Sequence, residues 1–269
     1  MSERNITSVL SARGISVSFG GVHALVDVDL DVEAGQLVGL IGPNGAGKTT
    51  FIDAICGFVN HRGRVTLDGE DITTALPHRR ARRGLARTWQ STELFDDLSV
   101  RENLVVAARH PSMLETVGEL FSRSVAWSRA VDDALELRAL GDLAEAMPSE
   151  LTQGQRKLVA VARAVAAGPK LLCLDEPAAG LDAGESAALG RHLRQVVDQG
   201  TPILLVDHDM GLVLGICDQL VVIEFGRVIA RGTPAEIRQD PKVVAAYLGS
   251  AAGEHAASVA HTDEPGAGG

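Results

Sequence analysis

The feature that most constrains the fold is a short apolar run, Leu37–Ile41, followed directly by the glycine-rich string Gly42-Pro43-Asn44-Gly45-Ala46-Gly47-Lys48-Thr49. The run lacks polar alternation, which is typical of a strand buried on both faces of a parallel sheet. The string has the spacing G-x-x-x-x-G-K-[ST], whose glycines let backbone N–H groups surround a phosphate. A helix that begins at Lys48 would add the positive end of its dipole. The segment therefore predicts an α/β fold with a phosphate-binding loop.

An acidic pair ends a second apolar run. Leu171–Leu174 leads directly into Asp175 and Glu176, and two carboxylates at the end of a buried strand are costly without a cation nearby. We expect Lys48 to reach the β- and γ-phosphates of a nucleotide, and Thr49 and Asp175 to hold Mg²⁺. Glu176 is expected to polarise the water that attacks the γ-phosphate. No lysine follows an asparagine, so the N-K-x-D guanine-binding motif is absent and a GTPase is disfavoured.

The other patterned segments fit the same fold class. Apolar and acidic residues alternate from Val26 to Val32, which predicts a strand with one wet face in an antiparallel sheet. A further unbroken apolar run predicts a buried strand at Ile203–Val206. The helix-compatible stretches that separate the buried strands are Lys48–Gly57, Gln153–Ala167 and Ala183–Gln199. Buried strands that alternate with helices imply a parallel sheet with crossover connections.

The rest of the chain completes the predicted organisation. Residues 93–155 are rich in helix formers and show no strand pattern, so we expect a helical insertion there. Leu220–Glu224 and Val228–Arg231 are predicted to pair as a hairpin. Short helices are expected at Pro234–Gln239 and Pro241–Leu248. Residues 250–269 hold too few apolar side chains to pack, so we predict a disordered tail.

Charge and composition disfavour several functions. The net charge of −10 at pH 7 argues against a nucleic-acid partner. One basic cluster is interpreted as a solvent-exposed helix surface; it comprises Arg79, Arg80, Arg82, Arg83 and Arg87. The sequence has neither a signal-peptide pattern nor an apolar stretch of about 20 residues, so we expect a protein that stays in the cytoplasm. Three widely spaced cysteines are expected to be reduced core residues: Cys56, Cys173 and Cys217.

One five-residue segment identifies a family. Leu151-Thr152-Gln153-Gly154-Gln155 lies about twenty residues before Asp175, where the sequence resembles the ABC ATPases and their signature L-S-G-G-Q. The resemblance covers about residues 8–249. It implies that the signature begins a helix and contacts the γ-phosphate of ATP bound by a second subunit. Thr152 keeps the hydroxyl of serine, whereas Gln153 replaces a glycine.

The resemblance implies further site residues. Phe19 is expected to stack on adenine, Gln90 to contact Mg²⁺ and water, and His208 to touch the γ-phosphate as a third catalytic residue beside Glu176 and Gln90. Asp182 is expected to meet the opposing phosphate-binding loop across the dimer. The residues expected to contact ATP are therefore Phe19, Gly42, Asn44, Gly45, Ala46, Gly47, Lys48, Thr49, Thr50, Thr152, Gly154, Gln155 and Asp182.

The family also implies an architecture. We expect a P-loop NTPase core with a mainly parallel sheet, an N-terminal antiparallel β subdomain and an inserted α-helical subdomain. The expected ATP-binding core comprises residues 1–92 and 156–249, and the expected helical subdomain, which ends with the signature, comprises residues 93–155. Residues 250–269 lie outside both.

Finer resemblance is to the ATPases of branched-chain amino acid importers. It is carried by Arg87-Thr88-Trp89-Gln90, His208-Asp209-Met210, and the ending from Gly232 to Gly249. It implies two membrane permease subunits, a second and non-identical ABC ATPase, an indirectly linked solute-binding protein and a place on the cytoplasmic face of the membrane. Alternatives remain: import of urea or amides, export of lipopolysaccharide or lipid, and a soluble ABC ATPase of cofactor assembly.

Overall fold

The computed structural model describes residues 8–88, 94–108, 131–132, 134–135 and 140–247. Two sheets form the framework, one of four strands and one of six. The expected α/β class, with one antiparallel sheet and one mainly parallel sheet, is confirmed. The predicted tail at 250–269 lies outside the described residues, as does Gln90.

The four-stranded sheet is antiparallel and has the order β2-β1-β4-β5. Its strands are β1 (Ser8–Phe19), β2 (Val22–Glu33), β4 (Arg62–Leu67) and β5 (Glu70–Asp71). The prediction of a half-buried strand is confirmed for β2, because Val28, Leu30 and Val32 are buried. It is wrong for Val26. A bulge at Asp27, where φ is 54°, shifts the register so that Leu25 is buried instead.

The six-stranded sheet has the order β10-β9-β3-β8-β7-β6. All neighbouring strands run parallel except β10, which pairs antiparallel with β9 as the predicted hairpin. The strands are β3 (Leu37–Ile41), β6 (Leu85–Arg87), β7 (Leu171–Asp175), β8 (Ile203–Val206), β9 (Gln219–Glu224) and β10 (Arg227–Gly232). Every residue of β3, β7 and β8 is buried, which explains their unbroken apolar sequences.

Seven helices with defined bounds connect or cover the sheets within the described residues. They are α1 (Lys48–Cys56), α2 (Pro77–Arg82), α3 (Val100–Ala108), α4 (Gln153–Ala166), α5 (Ala183–Asp198), α6 (Met210–Ile216) and α7 (Pro234–Gln239). The predicted helices at α1, α4, α5 and α7 are thus confirmed to within one or two residues. Residues 241–247 are also helical, as predicted.

Three hydrophobic clusters are found among the described residues. The first lies between the two sheets and contains α1, through Phe51, Ile52 and Ile55. The second lies on the opposite face of the six-stranded sheet and is covered by α5, α6 and α7. Strand β3 contributes Val38 and Leu40 to the first and Leu37 and Ile41 to the second.

The third cluster joins α3 to α4 and includes Val100, Leu104, Val159 and Ala162. Val100 and Leu104 belong to the stretch where a helical insertion was expected, whereas Val159 and Ala162 lie beyond its expected end at residue 155. Helix α4 runs without a break across the expected boundary at residue 155, and the division into core and helical subdomain stays a prediction.

The interpretation of the arginine cluster is wrong for two of its members. Arg80 lies on α2 but is buried, and its guanidinium donates to the carbonyl oxygens of Thr73, Ala54 and Ile55. Arg87 lies on strand β6, is almost completely buried, and pairs with the partly exposed Asp53 and the buried Asp175. The three cysteines are free and buried, as expected.

Candidate nucleotide-binding site

The glycine-rich loop connects β3 to α1 directly. Gly42 has a φ of 153°, and a Cβ added there would lie 2.0 Å from the carbonyl oxygen of Ile223. Gly47 has a φ of 105°, and its Cβ would lie 2.7 Å from the carbonyl oxygen of Ala24. Both positions therefore require glycine, because backbone atoms that cannot move easily approach them. Asn44 and Gly45, at the tip between them, are exposed.

Lys48 folds back onto its own loop. Its Nζ atom donates to the carbonyl oxygen of Gly42 at 2.7 Å and to that of Pro43 at 3.0 Å. Burial lowers the pKa of Lys48, while the charges of Glu176 and Asp175 oppose this shift. The ammonium group thus folds over its own loop, in the electrostatic field of nearby carboxylates. A phosphate there would replace the two carbonyl oxygens as its partner.

Asp175 ends β7 beside the start of α1. Its Oδ1 atom accepts a hydrogen bond from the Thr49 hydroxyl at 3.3 Å, and its Oδ2 atom lies 3.1 Å from Nη2 of Arg87. Burial raises the pKa of Asp175, and the neighbouring Arg87 opposes that rise. A hydroxyl and a carboxylate oxygen side by side are ligands that Mg²⁺ prefers, so Thr49 and Asp175 fit that ion.

Glu176 has an unusual backbone conformation, with a φ of 50°. Its N–H donates to the carbonyl oxygen of Val206 at 2.7 Å, which ties the turn after β7 to the end of β8. Its Oε2 atom lies 3.8 Å from Nδ1 of His208, whose side chain is largely exposed. A strained non-glycine residue at the end of a strand is often functional. Here it sets a carboxylate beside an imidazole next to the phosphate-binding loop.

A buried carboxylate that sequence reasoning missed supports this corner. Asp207 accepts hydrogen bonds from the N–H groups of Ala178 and Asp209, at 3.0 and 2.9 Å. It therefore holds together the loops that carry Glu176 and His208. The signal was present in the sequence, because Asp207 follows a buried strand as Asp175 does.

Thr152 is the N-cap of α4 and is exposed. Its hydroxyl oxygen accepts from the N–H of Gln155 at 3.2 Å, and Oε1 of Gln155 accepts from the N–H of Thr152 at 2.8 Å. This reciprocal capping box fixes the first turn. The signature thus presents a helix N-terminus at the surface, where the dipole favours an anion.

The segment around Asp182 contacts the signature. Asp182 is the N-cap of α5, and its Oδ1 atom accepts from the N–H of Glu185 at 2.8 Å. A Cβ on Gly154 would lie 2.8 Å from Oε1 of Glu185, and a Cβ on Gly180 would lie 2.8 Å from Nε2 of Gln153. The signature and the start of α5 therefore form one exposed surface.

The predicted site residues fall into two groups. Lys48, Thr49, Asp175, Glu176 and His208 lie together around the loop. The second group, on the surface shared with α5, contains Thr152, Gly154, Gln155 and Asp182.

Other predicted residues lie at the edges of the first group. Phe19 ends β1 with half of its surface exposed, as a ring available for stacking would be. Ala46 and Thr50 belong to the loop and to α1, and the carbonyl oxygen of Ala46 accepts from the N–H of Gly226 at 3.0 Å. Sequence reasoning also missed Arg87 and the buried Lys157 on α4, whose pKa is lowered by burial.

The fold and the loop define a P-loop nucleotide-binding protein with the sheet and helices of an ATP-binding cassette. Residues 25–179 match the family model described as ABC transporter, and residues 227–253 match a second, described as branched-chain amino acid ATP-binding cassette transporter. The chain belongs to the ABC transporter family, as one of its ATP-binding subunits.

Individual relatives agree with this assignment. The high-affinity branched-chain amino acid transport ATP-binding protein BraF of Pseudomonas aeruginosa is 39% identical over 254 residues, which cover 90% of this chain and 98% of the relative. The high-affinity branched-chain amino acid transport ATP-binding protein LivG of Escherichia coli is 37% identical over 252 residues, with the same coverage. The lipopolysaccharide export system ATP-binding protein LptB of Escherichia coli is 35% identical over 243 residues.

Solved structures resemble the whole cassette. A nucleotide-free ATP-binding cassette from an ABC transporter has a TM-score of 0.76 and 32% identity, covering 89% of this chain and 98% of its own. The ADP conformation of an ATP-binding cassette has the same TM-score and identity, covering 90% of this chain and 99% of its own.

The family assignment implies a general activity. Subunits of this family bind nucleotide, ATP hydrolysis is their general function, and they work with membrane permease components. Within the part of the chain that the structure describes, none of the helices combines the length and the apolar character that crossing a bilayer requires.

Proposed function

We propose that this chain hydrolyses ATP to energise the import of branched-chain amino acids. It acts with a second ABC ATPase on the cytoplasmic face of a membrane permease that receives its solute from a binding protein. The observation that carries the substrate class is the match of residues 227–253 to the branched-chain transporter model, because this segment lies outside the match to the general ABC model. The identities to BraF and LivG support the same choice.

The loop and its neighbours would bind ATP with Mg²⁺. Lys48 leaves the carbonyl oxygens of Gly42 and Pro43 and pairs with the β- and γ-phosphates, while Phe19 stacks on adenine. Asp175 and Thr49 already share a hydrogen bond and would hold the metal, with Gln90 as the third ligand that the family resemblance implies. Bound Mg²⁺ neutralises the charge that develops on the phosphate oxygens.

Hydrolysis is an in-line attack of water on the γ-phosphorus. Glu176 accepts a proton from that water as the new P–O bond forms, and the bond to the β-phosphate oxygen breaks to release ADP. His208 lies beside the Glu176 carboxylate and would contact the γ-phosphate. The turn after β7 supports this role, because its hydrogen bond to the end of β8 orients the carboxylate before the substrate arrives.

A second subunit would complete the site. Thr152 is exposed at the helix N-terminus and Asp182 is exposed on the same surface, while Gln155 is half-buried and Gly154 is buried against Glu185. Each subunit would thus lend its signature and Asp182 to the nucleotide held by the other. A non-identical partner, as in the importers that this chain resembles, remains the form of dimer that we propose.

A groove between α2 on one side and α3 and α4 on the other would receive the permease. It has a volume of about 750 Å³ and lies between the end of α1, α2, α3 and α4. Three exposed apolar side chains line it: Phe58, Phe95 and Val106. An amphipathic helix of the permease would bury these side chains, and movement of α3 and α4 on ATP binding would then be transmitted to the membrane.

Transport by the assembled complex tests the proposal. The chain would be produced with the permease subunits, the second ATPase and the binding protein that the proposal requires, reconstituted in vesicles and supplied with internal ATP. We expect uptake of labelled leucine, isoleucine or valine, abolished by Glu176→Gln. Uptake of urea or amides alone, or extraction of lipopolysaccharide instead of uptake, would overturn the substrate assignment. An intact complex that hydrolyses no ATP would overturn the mechanism.

A further inference from the structure

A buried hydroxyl connects the start of α5 to the loop that carries His208. Ser186 lies one turn into α5, and only 3% of its surface is exposed. Its Oγ atom donates to Oδ2 of Asp209 at 2.6 Å, a distance typical of a hydrogen bond to an ionised carboxylate. This bond is also the main cause of a lowered pKa of Asp209. The sequence motifs include neither residue among the predicted site residues.

Hydrogen bonds continue from this pair in both directions. On one side, the N–H of Ser186 donates to the carbonyl oxygen of Asp182 at 2.9 Å. Asp182 is the exposed residue that is expected to meet the second subunit. On the other side, Asp209 directly follows His208, and its N–H donates to Oδ1 of the buried Asp207 at 2.9 Å. The chain of bonds from Asp182 therefore reaches both sequence neighbours of His208.

The Ser186 bond is the polar part of the contact between α5 and α6. Apolar packing joins the bodies of the two helices, since Leu189 and Leu212 belong to the same cluster. The other carboxylate oxygen of Asp209 accepts from the N–H of Leu212 at 3.1 Å, as the N-cap of α6. The side chain of His208 is largely exposed, so its position depends on the backbone of its loop. Ser186 fixes that backbone against α5 directly beside the imidazole.

We propose that Ser186 is a positioning residue for hydrolysis, whose hydroxyl holds the loop of His208 in a fixed position relative to Asp182. The inference rests on the proposed hydrolysis of ATP between two subunits. A partner that contacts Asp182 fixes the start of α5, and through Ser186 it also fixes the loop of His208. Loss of the hydroxyl should lower kcat about three- to tenfold, as expected for one hydrogen bond. ATP binding should change little, because the described hydrogen bonds of Ser186 do not involve the phosphate-binding loop.

Two single substitutions separate this role from a general loss of stability. Ser186→Ala removes only the hydroxyl and leaves a good helix former in α5. Thr73→Val is the control, because the Thr73 hydroxyl accepts from the N–H of Val65 at 2.9 Å in the antiparallel sheet. The assembled complex would give kcat and KM for ATP. The full-length chain would give the affinity for a fluorescent ATP analogue and the midpoint of urea unfolding.

We expect Ser186→Ala to lower kcat about three- to tenfold, with KM and analogue affinity close to those of the wild type. Thr73→Val should lower the unfolding midpoint and keep the wild-type kcat. The effect of Ser186→Ala should also disappear in a His208→Ala background, where single-turnover assays measure the residual rate. Independence from the rate comes from NMR of the chain labelled with ¹³C-histidine. The His208 signal, assigned by its loss in His208→Ala, should shift in Ser186→Ala and not in Thr73→Val.

Four results would overturn the inference. They are a wild-type kcat for Ser186→Ala, an equal fall of kcat for Thr73→Val, a further fall of the same factor when Ser186→Ala is added to His208→Ala, and an unshifted His208 signal in Ser186→Ala. A wild-type complex that hydrolysed no ATP would instead overturn the proposed function, and this inference with it.

Discussion

The guanidinium of Arg87 lies 3.1 Å from the carboxylate of Asp175, and both side chains are almost completely buried. The same guanidinium pairs with Asp53 on α1. A single cation thus connects the strand that ends in the proposed metal ligand with the helix that begins at the phosphate-binding loop. Because burial raises the pKa of Asp175 and Arg87 opposes this rise, the arginine helps to keep the carboxylate ionised.

Arg87→Leu should therefore destabilise the fold. It leaves Asp175 buried without its cation, and removal of one partner of a buried ion pair typically costs about 3–5 kcal/mol. Urea unfolding at pH 7 would measure the loss. Arg13→Leu breaks an exposed pair with Asp31 and serves as the control, with a much smaller loss expected. If the two variants lose the same unfolding free energy, the buried ion pair of Arg87 stabilises the fold no more than an exposed ion pair does.

Glu176→Gln should keep ATP binding and lose turnover. The amide has nearly the shape of the carboxylate but cannot accept the proton of the attacking water, so the hydrolysis rate should fall by about 10²–10³ or more. The assembled complex would be assayed for phosphate release and for nucleotide binding. Glu145→Gln, an exposed carboxylate in the helical region, should hydrolyse ATP normally. Wild-type hydrolysis by Glu176→Gln would contradict the proposed role.

The strands of the parallel sheet were the most predictable part of the fold. Strands β3 and β8 have the predicted bounds, and β7 extends one residue beyond them. Their burial on both faces leaves an unbroken apolar run in the sequence. Strand β1 was not predicted, because it mixes polar and apolar residues and its pairing with β2 shifts register at several points. Irregular pairing of this kind erases the period of two on which strand prediction depends.

Site residues could be predicted where they belong to a short, contiguous sequence motif. Lys48, Thr49, Asp175 and Glu176 follow from motifs at strand ends. Arg87 did not, because its partners Asp53 and Asp175 lie 34 and 88 residues away along the chain. The sequence of an arginine cluster does not show which of its members form ion pairs in the folded protein. Only the tertiary structure distinguishes Arg87 from its exposed neighbours.

Gly226→Ala should weaken ATP binding although Gly226 lies outside the loop motif. Its N–H donates to the carbonyl oxygen of Ala46, its φ is 74°, and a Cβ there would lie 2.5 Å from the carbonyl oxygen of Ala24. The added methyl must push the turn at Gly226 away from β2, which disturbs the hydrogen bond from Gly226 to Ala46 of the phosphate-binding loop. We therefore expect an affinity loss of at least about threefold and a stability loss above about 2 kcal/mol.

Gly69→Ala is the matched control for this substitution. Gly69 has a similar φ of 78°, but a Cβ there meets nothing within 4 Å. It should cost only the backbone strain, about 1 kcal/mol, and leave ATP affinity unchanged. Titration with a fluorescent ATP analogue and urea unfolding would measure both effects. Equal affinities for Gly226→Ala and Gly69→Ala would contradict the proposed link to Ala46.

Gly180→Ala and Gln153→Ala should be coupled. Gln153 replaces a glycine of the family signature, and its Nε2 atom fills the space that a Cβ on Gly180 would need. Gly180→Ala alone should displace Gln153 and strain the turn before Asp182. With Gln153→Ala present only the strain remains, so a coupling of about 0.5–1 kcal/mol is expected in the unfolding free energy. Additive effects in the double-mutant cycle would show that the two residues do not interact.

Cys217 should make the fold sensitive to alkaline pH. Burial raises the pKa of its thiol to about 12, and the neighbouring Asp218 adds to the rise. In the unfolded chain a thiol titrates near pH 8.5, so above this pH the unfolded state releases a proton that the folded state keeps. Stability is therefore complete below pH 8.5 and falls as the pH rises toward 12. Between pH 8.5 and 10 the loss from this group is about 2 kcal/mol.

Cys217→Ala removes that titration and should make the stability curve flatter over the same interval. Urea unfolding of both proteins at pH 7, 8.5 and 10 would measure the difference between them, which cancels the contributions of groups that they share. Alkylation gives an independent check. In the folded protein Cys217 should react with iodoacetamide at pH 8.5 far more slowly than in urea, because the buried thiol is both inaccessible and protonated. If the wild-type stability curve is as flat as that of the variant, or if Cys217 of the folded protein is labelled rapidly, the thiol is not both buried and protonated in the folded state.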